Sequence, residues 1–237
     1  MVENIGSRLA ASADEYLGYL EGWLENLPEH EVKQPESTAI LVVDITNGFC
    51  NEGALASLRV KAIVPPIVSL LNNAWTSGVR EFYLLNDNHE PDAIEFKAFP
   101  PHCIRGTAES QPVQEIMELE FFDQMRLIEK NTLSSTQETE LLEDLHTKPN
   151  LTDFIIVGDC TDLCVYQLAV ALRNDANARR SRGFSIIVPE DCVDTYDMPV
   201  ELAQQVGAAP HPGDFMHAVF LHHMALNGVS VVKKVQF

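Results

Sequence analysis

The spacing of apolar positions changes along the chain. Leu9, Ala13, Tyr16, Leu20, Trp23, Leu24 and Leu27 recur at intervals of three and four, which predicts an amphipathic helix over about residues 7–26. That stripe needs a covering surface, from the chain's own core or from another subunit. The polar stretch HEVKQPES around Pro35 follows as a linker. Beyond it, short apolar and β-branched runs alternate with helical spacing. Strands are predicted at 39–43, 79–85, 126–129, 154–157, 184–188 and 229–232. Helices are predicted at 63–78, 137–146, from the turn after Gly158 to Arg173, at 199–206 and at 214–227. This order of strand and helix implies a mainly parallel sheet of about six strands between two helical layers, an α/β fold of three layers. Residues 1–36 form a helical extension, and 37–237 the main domain.

Composition narrows the function classes. A chain of 237 residues that is 46% hydrophobic and 22% charged can bury one large α/β core. Its net charge of −19 argues against nucleic acid or an anionic membrane as partner, since phosphate binding relies on clustered Lys and Arg. No apolar run approaches the roughly 18 residues that span a bilayer. The start, MVENIGSRLAASADEYL, lacks the basic and apolar regions of a signal peptide, so a cytoplasmic protein is expected. Five cysteines, an odd number without zinc-finger spacing, point to reduced thiols.

In open α/β sheets ligands bind beyond the C-terminal ends of the strands. Here the first four strands stop at Asp44, at Asp87 with His89, at Lys130, and at the turn leading to Cys164. The stretch DFIIVGDCTDLCVYQLAVALR (153–173) places Cys164 in the first turn of a helix, where the helix dipole would lower a thiol pKa and favour an oxyanion. Cys164 also reads as a buried structural thiol, and Asp44 as a capping residue. Together the residues make a coherent set. Asp44 can take the thiol proton, Lys130 can hold the carboxylate and the developing charge, and Cys164 can attack a carbonyl carbon to give a thioester. Cys50 and Cys103 read as small apolar fillers, and His211, His217, His222 and His223 as surface or capping residues.

The pieces LVVDITNGFC (41–50), NDNHEP (86–91), FPPHCIRGT (99–107), IEKNTLSST (128–136) and VGDCTDLCV (157–165) resemble the isochorismatase-like cysteine hydrolases, specifically the nicotinamidases. The resemblance covers about residues 38–232. It implies an isochorismatase-like fold with Asp44, Lys130 and Cys164 as catalytic triad. It also implies a cis bond between Asp159 and Cys160, with the N–H groups of Cys160 and Cys164 as oxyanion hole. Asp87, His89, Glu95 and His102 offer two imidazoles and two carboxylates, a mixed set suited to a divalent zinc, iron or manganese ion. The middle ligand of the family is His in some members and Glu in others, and Asp92 competes with Glu95 for it. Phe49 and Phe99 match the aromatic pair that sandwiches a pyridine ring. The implied reaction converts nicotinamide to nicotinate and ammonia; a small-molecule amide and a homo-oligomeric assembly are the expected partners. Two segments depart from the family pattern: AIEFKAF after Asp92, and the acid at Asp159. Two alternatives therefore stand beside this one: a metal-independent amidase acting on a carbamoyl or ureido group, and a silent member that only binds a small ligand.

Overall fold

The computed structural model describes residues 4–237. The described residues form eight strands, β1 (His30–Glu31), β2 (Thr38–Val43), β3 (Glu81–Asp87), β4 (Arg126–Lys130), β5 (Asp153–Gly158), β6 (Ser185–Pro189), β7 (Ser230–Val232) and β8 (Val235–Gln236). The helices are α1 (Ile5–Glu25), α2 (Asn47–Cys50), α3 (Leu58–Ala62), α4 (Val64–Ser77), α5 (Gln114–Met117), α6 (Leu141–His146), α7 (Cys164–Arg179), α8 (Val200–Val206) and α9 (Gly213–Leu226). Six strands make one parallel sheet in the order β4-β3-β2-β5-β6-β7, as the alternating pattern predicts. A separate two-stranded ladder joins β1 to β8, so the expected linker is tied to the far end of the chain.

The apolar runs bury on both faces. Ile40 and Val42 of β2 enter a core with Ile67 and Leu71 of α4, while Leu41 and Val43 enter a second core with Leu168 and Leu172 of α7. This alternation is the period-2 rule applied to a strand covered on both sides. The helix predicted over 63–78 is α4, with Pro65 and Pro66 in its first turn, where proline fits; the short α3 just before it, ending at Ala62, was not expected. Extension α1 starts at Asn4, whose side chain accepts the Ser7 N–H at 3.0 Å. Only its last three turns pack: Leu20 is buried, Trp23 and Leu24 are half-buried, and Ile5, Leu9 and Leu17 are exposed. The covering surface is α9, where His222 sits against Tyr16, Tyr19 and Trp23. Among the described residues no helix is long and apolar enough to cross a membrane.

From β2 the chain builds outward to β3 and β4, then crosses to the other side for β5, β6 and β7. The switch point lies between β2 and β5, and a crevice opens beyond it. At that point the two strands touch backbone to backbone. Gly158 has φ 116°, and a Cβ there would stand 2.0 Å from the Val43 carbonyl oxygen. Gly158→Ala is therefore expected to lower stability by roughly 3 kcal/mol or more, from the left-handed backbone and the clash together. Denaturant unfolding checks this, and an unchanged midpoint would contradict the close approach.

Candidate active site

Four strand ends deliver the ionisable groups in spatial order: Lys130 from β4, Asp87 from β3, Asp44 after β2, and Asp159 after β5. Asp44 sits at φ 55°, a left-handed conformation that Asp tolerates better than most residues. Its backbone is held there by its N–H on Leu85 O at 2.9 Å and by Thr46 N–H on its carbonyl at 2.8 Å. Its Oδ1 accepts the Asp87 N–H at 2.7 Å. The buried Lys130 ammonium lies 2.8 Å from Asp44 Oδ2, pairs with Asp87 Oδ1, and stands 3.7 Å from Cys164 Sγ. A carboxylate oxygen of Asp44, one of Asp87 and the Cys164 sulfur all lie within 4.8 Å of one another.

Burial divides the roles of these groups. Desolvation, with the Asp87 charge, pushes Asp44 up to about 6 against the pull of Lys130. Asp87 is desolvated too, yet Lys130 and two imidazoles hold it well below the carboxylate range. Burial also pushes the Cys164 thiol well up, and the nearby lysine only partly offsets it. This differs from the lowered thiol expected at a helix start, because Cys164 is buried beside two carboxylates as well as at the end of a dipole. These surroundings favour the protonated thiol, with carboxylate oxygens of Asp44 and Asp87 within 4.8 Å of the sulfur.

A second cluster adjoins the first. Asp87 Oδ2 lies 3.4 Å from His89 Nε2 and 3.6 Å from His102 Nε2. The outer nitrogens are already committed, His89 Nδ1 to Asn131 Oδ1 at 3.1 Å and His102 Nδ1 to Pro100 O at 2.8 Å. This fixes both rings with Nε2 facing inward, the arrangement that orients metal-ligating histidines. Asp87 Oδ2, His89 Nε2 and Glu95 Oε1 are buried without a hydrogen-bond partner among the described residues. Converging orphaned oxygens and nitrogens of this kind fit a divalent cation. Glu95 Oε1 is farther out, 3.9 Å from His89 Nε2, while its Oε2 accepts the Leu133 N–H at 3.2 Å. Asp92 is exposed. A short ladder, His89 N–H on Cys103 O and Arg105 N–H on His89 O, lays the His102 loop beside the end of β3.

Both clusters open into one cleft, with an empty space, mouth included, of about 380 Å³. Phe49, Leu55, Phe99, Leu133, Leu163 and Tyr196 wall it, and Asp44, Asp159, Cys160 and Cys164 lie at its base. Phe49 is 5.4 Å and Phe99 6.4 Å from the His102 ring, centroid to centroid. The Asp159–Cys160 peptide is cis. The N–H groups of Cys160 and Cys164 donate to no acceptor among the described residues.

A family model of the isochorismatase domain matches residues 38–231. The chain belongs to the isochorismatase family. Nicotinamidase 1 of Arabidopsis thaliana is 28% identical over 225 residues, covering 87% of this chain and 89% of the relative. The crystal structure of the Bacillus subtilis nicotinamidase superposes with a TM-score of 0.64 at 26% identity, covering 83% of this chain and 99% of that one. The pyrazinamidase of Pyrococcus horikoshii, solved in complex with zinc, shares the fold with a TM-score of 0.64 at 21% identity, over 85% of this chain and 99% of that one. The resemblance to the nicotinamidase group is borne out, and the chain is a hydrolase of amide bonds.

In this isochorismatase-family hydrolase the structure adds residues that spacing did not reveal. Phe96 packs edge-on against both imidazoles, 5.4 Å from His89 and 5.6 Å from His102. Tyr196 stacks on His211 at 3.8 Å, and His211 Nε2 meets Asp162 Oδ2 at 2.7 Å. His217 Nδ1 is 2.9 Å from Thr161 Oγ1. His211 and His217 are thus not the surface or capping residues expected. Both are drawn inward because Thr161 and Asp162, in the turn before Cys164, are buried polar groups that need partners. Cys50 and Cys103 are buried, as fillers should be, and desolvation pushes both thiols up.

Proposed function

We propose that this amidase hydrolyses a small ring carboxamide, nicotinamide to nicotinate and ammonia, through a thioester on Cys164. One observation carries this: the buried Asp44, Lys130 and Cys164 adjoin a cluster of Asp87, His89 and His102 in which Asp87 Oδ2 and His89 Nε2 have no partner among the described residues. In the reaction Asp44 takes the thiol proton as Cys164 Sγ bonds to the carboxamide carbon. The N–H groups of Cys160 and Cys164 donate to the oxygen that gains charge. The C–N bond then breaks and the nitrogen leaves as ammonia with the proton held by Asp44. Water, deprotonated by Asp44, adds to the thioester, and the thiol is restored as the acid departs. Lys130 keeps Asp44 oriented and offsets its charge. Asp87, His89 and His102, with Glu95 directly or through water, would hold a divalent zinc, iron or manganese ion, which supplies a Lewis acid for a ring nitrogen. Phe49 and Phe99 would flank the ring, turning binding into orientation.

Ammonia release from nicotinamide, with and without chelator, tests this reading. Nicotinamide turnover that falls with chelator and returns with metal is expected. His89→Ala is expected to lose bound metal by elemental analysis, while Cys164 still reacts with a thiol reagent. A metal-free protein that cleaves a ureido substrate equally well in chelator would overturn the assignment.

A further inference from the structure

Asp159 has no part in the chemistry above. Along the strand ends Lys130 pairs with Asp87 and Asp44, and Asp159 lies one strand beyond them, on the side away from the lysine. It is 1% exposed and lines the cleft. Its Oδ2 accepts a hydrogen bond from the Cys160 thiol at 3.3 Å, and its Oδ1 is buried with no partner among the described residues. Burial, reinforced by the Asp44 charge, pushes its pKa well above the ordinary carboxylate value, which favours the neutral acid. Since Oδ2 already accepts, the proton belongs on Oδ1. A buried O–H left without an acceptor is destabilising, a cost that a hydrocarbon side chain in the same wall would avoid.

A ring carboxamide in this cleft brings two polar atoms that already have partners. The carbonyl oxygen faces the free N–H groups of Cys160 and Cys164, and a ring nitrogen suits the Asp87, His89 and His102 cluster. We propose that Asp159 reads a third atom: its Oδ1–H donates to a hydrogen-bond acceptor on the substrate. The preferred amide is thus a ring carboxamide with a second ring nitrogen or a ring oxygen substituent facing β5. This rests on the carboxamide hydrolysis proposed above and narrows its substrate class.

The test compares kcat/KM for nicotinamide, pyrazinamide and 6-hydroxynicotinamide in the wild type, Asp159→Leu and Asp159→Asn. The wild type is expected to favour at least one second-acceptor amide over nicotinamide. Asp159→Leu should cut that preference by about tenfold or more, mainly through KM, because a site built to hydrogen-bond discriminates against what cannot answer it. Asp159→Asn keeps an N–H donor and should keep the ranking. A wild type that prefers nicotinamide to both other amides overturns the proposal without recourse to any variant. So does an Asp159→Leu protein that keeps the wild-type ratios, although carboxamide hydrolysis would then stand. Ammonia from none of the three amides would bring down the carboxamide reading and this inference with it.

Discussion

Replacing Cys164 by alanine is expected to lower amide hydrolysis by about 10⁴-fold or more while leaving the protein folded. Loss of a covalent nucleophile removes the whole pathway and leaves only binding and oxyanion contacts to act on water. The side chain is small and buried at the first position of α7, so alanine fills nearly the same space, and the following turns of the helix are untouched. Two measurements separate the effects. Circular dichroism and the unfolding midpoint should stay close to wild type, and acid-quenched wild-type protein caught during turnover should carry an acyl adduct on the peptide containing Cys164. Wild-type rates in the alanine variant would exclude a thioester.

Lys130→Met is expected to act on both activity and stability. Asp44 and Asp87 are buried on either side of the ammonium, and without it two carboxylates face each other in a low dielectric. Breaking a buried ion cluster by removing one partner costs roughly 3–5 kcal/mol, because the remaining charges stay desolvated. Turnover should fall by roughly 10²-fold or more as the base loses its orientation. The cost belongs to the uncompensated charge, so removing the acids as well should relieve it. A Lys130→Met, Asp44→Asn, Asp87→Asn protein is expected to recover most of the lost stability while remaining inactive. Denaturant unfolding of both proteins decides the matter; a single variant as stable as wild type would mean that solvent reaches the cluster.

Much of this arrangement could be read from the chain itself, for definite reasons. The apolar runs of β2 and β5 are buried on both faces, so they stand out without any partner in view, and the strand-end rule then leads to Asp44, Asp87, Lys130 and Cys164. The ladder of β1 and β8 is two residues long on each side, too short for any period to show. Residues 137–140 were expected to be helical, but Thr139 Oγ1 donates to Ser135 O and accepts the Leu141 N–H, and α6 starts only at Leu141. The joining of His211 to Asp162 links segments far apart in sequence, and no spacing rule marks such a pair. The thiol's behaviour escaped for another reason: a helix start is visible in a sequence, whereas desolvation by neighbours from other strands is not.

The position of β2 beside β5 bears on how a reactive sulfur is introduced during folding. Thr38 pairs with Asp153, so the contact that brings Asp44 to Cys164 closes a long loop of chain containing β3, β4 and their helices. Contacts of such high order come late, since the entropy of closing the loop is lost before the pairing returns anything. Until then the sulfur has neither its base nor its lysine, and as an ordinary thiol at neutral pH it is largely protonated. Chemical competence in this enzyme thus arrives only with this long-range pairing, and a chain that has not yet made it is spared an activated nucleophile.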